Sequence, residues 1–184
     1  MALLYSELLP HAWEAPNFTL LGTDDKQHSL SDYTNKKGLL VIFTCNHCPY
    51  AKASWPILQK LYIEFGDRVH FVAINPNDSE NYPDDSFEKM KENNHQYQIT
   101  FPYLWDKDQV TAKAYKAQCT PDIYLFENRN SKPELFYHGR INDNWQEPAK
   151  VQQFNLKEAI EKLVNNQDAP KDQPPSMGCS IKWK

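Results

Sequence analysis

Gly38-Leu39-Leu40-Val41-Ile42-Phe43-Thr44-Cys45-Asn46-His47-Cys48-Pro49-Tyr50 is the stretch on which the reading of this 184-residue chain turns. Its first half is an unbroken apolar run, the pattern of a central strand buried on both faces rather than of a half-exposed one. Its second half is a C-x-x-C motif followed at once by proline, which suits a first helical turn because the missing N–H has no partner there. Ala51, Trp55, Leu58, Tyr62 and Phe65 then recur at spacings of three and four, so a helix follows until Gly66. Pro56 inside that pattern predicts a kink rather than a stop.

Upstream, residues 15–21 lead through the turn composition Gly22-Thr23-Asp24-Asp25-Lys26 to His28-Ser29-Leu30, a short β-hairpin. Downstream, Val69–Ile74 is a second buried strand, Pro83–Tyr97 a polar helix with Phe87 and Met90 inward, and Val110–Ala117 a shorter helix. Asp122–Phe126 and Glu134–His138 are strands joined by a turn mixture at residues 128–133, consistent with an antiparallel hairpin. A last helix covers Val151 to Asn165, with Leu156, Ile160, Leu163 and Val164 on one face, and a Pro-rich tail occupies residues 166–184. The expectation is one α/β domain over residues 1–184: a central mixed β-sheet flanked by helices, an N-terminal β-hairpin and an extended C-terminal tail.

Composition narrows the function. Twenty Lys+Arg against 24 Asp+Glu give a net charge of −4, and only three arginines occur. That leaves no electrostatic footprint for nucleic acid. No apolar run approaches the length of a membrane span, and the N-terminus lacks the basic flank of a secretory signal. A cytoplasmic protein with neither nucleic acid nor membrane as partner is expected.

Four cysteines, Cys45, Cys48, Cys119 and Cys179, are too few for a disulfide framework in a domain of this size. The C-x-x-C has two readings. As half of a zinc site it needs two more ligands, for which only the two single cysteines are available. As a redox pair it needs nothing more: Cys45 at the helix N-terminus meets exposed N–H groups and the helix dipole, which favour a thiolate. On this reading the Cys45 pKa falls and Cys45 attacks. Cys48, one turn on, resolves the mixed disulfide. His47 adds partial positive charge that tunes the potential, and neutral Asn46 contributes little. The strand–turn–helix context favours redox chemistry, with no metal or other cofactor.

With these residues in hand the chain resembles the thioredoxin superfamily, and more narrowly its peroxiredoxin-like (AhpC/TSA, redoxin) members. The resemblance rests on Ala15-Pro16-Asn17-Phe18-Thr19-Leu20, the motif Thr44–Tyr50, Cys119-Thr120-Pro121-Asp122, Gly139-Arg140-Ile141-Asn142-Asp143-Asn144 and the closing Gly178-Cys179-Ser180-Ile181-Lys182-Trp183. It implies a thioredoxin-like fold and thiol–disulfide oxidoreductase activity. It also implies a cis peptide bond between Thr120 and Pro121, packed opposite the C-x-x-C, with the Thr120 backbone shaping the substrate cleft. An ordinary trans proline at a strand start is the alternative. The Pro-x-x-x-Thr-x-x-Cys loop of peroxiredoxins is missing, since Gly38 and Ile42 hold the proline and threonine positions.

The expected substrate is therefore a disulfide, or a hydroperoxide if the protein is a thiol-dependent peroxidase, with electrons from a thioredoxin- or glutathione-type reductant. A third reading is a non-enzymatic redox sensor whose disulfide moves the tail. Cys119 and Cys179 are either inert or a second redox pair: if the tail folds back over the site, with Ile181 and Trp183 anchoring it like an edge strand, Cys179 pairs with Cys119 or relays electrons to the C-x-x-C. Trp55 and Trp145 are candidates to line a substrate groove, and Arg140 and Asp143 either border the site or form a surface turn. Asp78, Glu80, Asp84 and Asp85 read as caps and solvated groups rather than a calcium loop.

Overall fold

The computed structural model describes residues 3–129 and 132–184. Strand β4 (Gly38–Phe43) is buried at every position. It pairs in parallel with β5 (Val69–Asn75) and antiparallel with β8 (Asp122–Arg129). Around it a seven-stranded sheet is completed by β2 (Thr19–Gly22), β3 (Gln27–Ser29), β6 (Tyr103–Trp105) and β9 (Lys132–His138), in the order β3-β2-β6-β5-β4-β8-β9. The mixed sheet, the hairpin β2–β3 and the antiparallel pair β8–β9 match the expected architecture. The reading missed β6, which is only three residues long, and the centre of the expected 128–133 turn lies outside the described residues.

Alternation along β4 divides the core in two, because successive side chains leave a strand on opposite faces. Leu40 and Ile42 pack with Trp55, Leu58, Leu61 and Phe65 of helix α1 (Pro49–Phe65) and with Leu156, Ile160 and Leu163 of helix α4 (Asn155–Val164). Leu39, Val41 and Phe43 pack on the other side with Tyr115, Tyr124 and Phe126. Burial on both faces is why β4 reads as a continuous apolar run. Helix α1 runs through Pro56 to Phe65, capped by Gly66.

Three other helical readings shift at their ends. The segment from Pro83 splits into a 3-10 turn (Pro83–Asp85) and helix α2 (Phe87–Tyr97), because the Ser86 side chain caps α2 by accepting the Lys89 N–H. Helix α3 stops at Ala114, and α4 begins at Asn155 rather than Val151.

The tail is ordered structure. Strand β10 (Met177–Ser180) lies between β1 (Leu3–Tyr5) and the two-residue β7 (Cys119–Thr120), all antiparallel. It is thus a middle strand, not an edge. Ser176 fixes its entry: Ser176 N–H donates to Ser6 Oγ at 2.8 Å and Ser176 Oγ donates to the Gly139 carbonyl at 2.9 Å. Its exit is held by Lys182 N–H on Asn77 Oδ1 (2.9 Å) and Asp78 N–H on the Lys182 carbonyl (2.8 Å). Ile181 is buried, whereas Trp183 is 41% exposed, so only the first of the two expected anchors serves.

Replacing Leu40 with Ala removes fully buried packing between β4 and two helices. It is expected to cost about 2–5 kcal/mol, read as a lower urea midpoint. Ile63→Ala on the outer face of α1, where the side chain is 77% exposed, is expected to stay within about 0.5 kcal/mol of the parent.

Candidate redox site

Strand β4 ends at Phe43, and the chain turns through residues 44–47 before α1 begins at Pro49. Cys48, not Cys45, is therefore the N-cap residue, with extended backbone at φ −68°, ψ 130°. This one-turn displacement matters chemically. Helix N–H groups and the dipole favour negative charge at the cap itself, and the amides of Ala51 and Cys179 favour the Cys48 thiolate. As a thiol, Cys48 donates to the Thr120 carbonyl at 3.3 Å. As a thiolate it accepts from the Cys45 and Cys179 thiols, and the Cys45 bond contributes most to bringing its pKa to about 5.

The expected lowering at Cys45 does not occur. Its sulfur is fully buried, 3.2 Å from Thr120 Oγ1. Burial, with the bond to Cys48 and the nearby Asp85 charge, pushes the Cys45 thiol well above the ordinary range. The surroundings thus favour ionisation of Cys48 over that of Cys45. Thr44, next in sequence, supplies no hydroxyl here; its buried Oγ1 has no hydrogen-bond partner.

Facing the motif, the Thr120–Pro121 peptide is cis, as the resemblance implied. The backbone of Thr120 pairs with Cys179 of β10. The tail thus does fold over the site, but it brings Cys179 to Cys48 rather than to Cys119: the two sulfurs are 2.6 Å apart. Cys119 pairs through its backbone with Ser180, and its thiol donates to the Pro121 carbonyl at 3.4 Å. Burial raises the Cys119 pKa and keeps it protonated. Of the two expected arrangements for Cys179, the contact that forms is the one with the C-x-x-C. Burial, followed by the bond to Cys48, pushes Cys179 up to about 12, so it meets the Cys48 thiolate as a thiol.

Beneath the turn lies a carboxylate the sequence reading left among the caps. Asp85 is fully buried; it accepts from Asn46 N–H (2.7 Å), from Asn77 Nδ2 (2.8 Å) and from His47 Nδ1 (2.6 Å). Burial opposes its ionisation, but these bonds outweigh it and hold the carboxyl below its usual range. The same bond raises the His47 pKa against partial burial. His47 also stacks on Tyr82, with ring centroids 5.9 Å apart and planes at 8°. His47 is thus paired with Asp85, whose own charge opposes ionisation of Cys45. Asn46 is a tie rather than a bystander, since its side chain donates to the Asp84 carbonyl and accepts from Tyr103 OH at 2.9 Å. No local pattern marks Asp85 or Tyr103, because each reaches the motif only through tertiary packing.

Cys45, His47 and Asp85 place one potential metal-ligand atom each within 4.8 Å of one another. Three such donors match the protein ligand count of an open zinc site. In this structure the His47 and Asp85 atoms instead bond to each other.

Beside Pro121 a cavity of about 330 Å³ is lined by Tyr50, Trp145, Arg140, Asp143 and Met177, among others. Tyr50 and Trp145 lie 4.0 Å apart, ring centre to ring centre. Trp145, Arg140 and Asp143 thus border the site, whereas Trp55 is wholly core.

A C-x-x-C at the junction of a central strand and a helix, opposed by a cis-proline, on a mixed sheet covered on both faces, defines a thioredoxin-like fold. The chain belongs to the AhpC/TSA family, which it matches over residues 12–136. It is 28% identical over 116 residues to the thioredoxin-like protein YneN of Bacillus subtilis, covering 63% of this chain and 65% of that protein. It is 29% identical over 120 residues to the thiol-disulfide oxidoreductase ResA of the same organism, covering 65% and 63%. The matches thus span less than two thirds of either relative. An uncharacterized conserved protein of Geobacillus kaustophilus superposes with a TM-score of 0.94 at 37% identity, covering 100% of this chain and 97% of that one.

In the reduced protein, thiolate absorbance near 240 nm is expected to titrate at about pH 5 and to vanish at that pH in Cys48→Ser. Because the folded pKa lies below the ordinary value of 9.0, the thiolate stabilises the fold above that value and ceases to do so as pH falls to about 5. Asp85→Asn is expected to move the His47 titration to lower pH, read by NMR of the imidazole protons.

Proposed function

We propose that the protein is a thiol–disulfide oxidoreductase whose redox centre is Cys45 and Cys48. The observation that carries this reading is the packing of Cys45 and Cys48 together at the junction of β4 and α1, both in contact with Thr120 of the cis Thr120–Pro121 peptide. Cys48 is the sulfur that meets β10, 2.6 Å from Cys179, whereas Cys45 faces the Thr120 hydroxyl, so attack on the substrate disulfide is assigned to Cys48 and resolution to Cys45. This reverses the order read from the motif. In the forward step Cys48 sulfur bonds one substrate sulfur and the other leaves as a thiolate. Cys45 then attacks Cys48 and gives its proton to the departing sulfur, the mixed disulfide breaks, and the substrate leaves with its two sulfurs carrying the one proton and one negative charge that the cysteine pair held before; the second proton is taken up from solvent.

Cys45 and Cys48 are sealed from solvent, and Cys179 is 4% exposed. Turnover therefore includes displacement of β10 from Thr120, after which an extended substrate segment can pair with the same backbone. The cavity beside Pro121, with its Tyr50–Trp145 pair, suits an apolar or aromatic side chain of that segment. A disulfide of a protein or peptide is the proposed substrate, and a thioredoxin- or glutathione-type dithiol or thiol the proposed reductant.

Dithiothreitol-driven reduction of insulin disulfides is expected for the parent and abolished in both Cys45→Ser and Cys48→Ser. Incubated with a small aromatic disulfide, Cys45→Ser with Cys179 also replaced by serine should accumulate a mixed disulfide on Cys48, while Cys48→Ser should label slowly. Rapid labelling of Cys45 in Cys48→Ser, with none at Cys48 in the other variant, would restore the opposite order. Two unreactive thiols in the parent would sink the exchange reading altogether.

A further inference from the structure

Three sulfurs meet above α1, and the third is supplied by the chain's own tail. Cys179 and Cys48 are 2.6 Å apart at sulfur, much closer than a van der Waals contact and near the covalent separation of roughly 2.05 Å. The strand that delivers Cys179 is seated by contacts that involve no sulfur. Besides the Ser176 and Lys182 bonds, Gly178 lies so close to the Thr120 backbone that a Cβ there would meet the Thr120 carbonyl oxygen at 2.2 Å and the Pro121 nitrogen at 3.0 Å. Ile181 N–H donates to the Gln118 carbonyl at 3.2 Å on the far side. A cysteine-bearing extended segment, paired antiparallel with the residue before the cis-proline, therefore sits where a peptide substrate would.

Resting on the exchange reading above, we propose that Cys179 is a third redox residue and that β10 acts as an internal substrate, exchanging with the Cys45–Cys48 disulfide. Cys179 sulfur attacks Cys48 sulfur; the Cys48–Cys179 bond forms as the Cys45–Cys48 bond breaks. Cys45 leaves as a thiolate and takes up the proton that Cys179 gives up. No electrons enter or leave in this step, since the oxidation was brought in by the external disulfide. The product fastens the tail across Thr120, which closes that strand edge to another substrate until an external thiol reduces the new bond. Cys119 takes no part.

Tryptic mapping decides this, because Cys45 and Cys48 share peptide 38–52 while Cys179 lies in peptide 172–182. The parent is equilibrated with oxidised glutathione until two thiols are lost, then blocked in denaturant and digested. The expected result is a cross-linked pair of the two peptides beside peptide 38–52 carrying an internal disulfide. In Cys45→Ser the cross-link should be the sole protein disulfide. Gly178→Ala, which pushes β10 off Thr120, should lose it and keep the internal disulfide. The proposal is overturned if the parent shows the internal disulfide alone, or if Cys45→Ser carries glutathione on Cys48 with Cys179 alkylated. It is also overturned if Gly178→Ala retains the cross-link at the parent's yield. Cys179→Ser tests the underlying reading separately: a Cys45–Cys48 disulfide there upholds the exchange centre whatever becomes of the tail, and two persistent thiols reject it.

Discussion

Strand β4 has no face toward water, and the molecule is arranged around that constraint. A strand buried on both sides must have every backbone group paired and every side chain packed. Here β5 and β8 supply the pairing, while α1 and α4 on one face and the aromatic cluster of Tyr115, Tyr124 and Phe126 on the other supply the packing. The end of such a strand is a fixed point. The C-x-x-C is attached to it directly, so Cys45 and Cys48 are placed by the most deeply buried part of the sheet rather than by a mobile loop.

Chemistry at that point is governed by where one negative charge can reside. Cys45 is enclosed, with the Asp85 carboxylate close by, and is held protonated. Cys48 stands at the helix cap, with two thiols beside it, and its ionisation is favoured. Asp85 would be costly to bury alone; its bonds to His47, Asn46 and Asn77 make it tolerable. In return it locks the Asn46-His47 turn. Stability and reactivity therefore depend on the same hydrogen bonds, and a change at Asp85 is felt by both.

The tail gives this site its distinctive character. A glycine at 178 is required by contact with the Thr120 backbone, and a cysteine at 179 then falls directly on Cys48. Sealing by an antiparallel strand protects a low-pKa thiolate from solvent oxidants, since susceptibility follows thiolate character and exposure together. On the proposed function, access is conditional on replacing one strand pairing by another, a condition that an extended cysteine-bearing segment meets better than a compact one.

Much of the fold was legible in the chain itself. The apolar run at 38–43, the spacing from Ala51 to Phe65 and the hairpin turn at 22–26 are local patterns, and local sterics and burial periodicity determine the elements they specify. The thiol pair was legible for the same reason. What local patterns do not carry is distance in space between residues far apart in sequence. Which cysteine the helix cap would charge, that Asp85 would lie beneath His47, and that Cys179 rather than Cys119 would find a partner were decided by the tertiary structure. Each depends on packing that sets burial and neighbouring charge, and those quantities exist only once the sheet and the returning tail have closed around the motif.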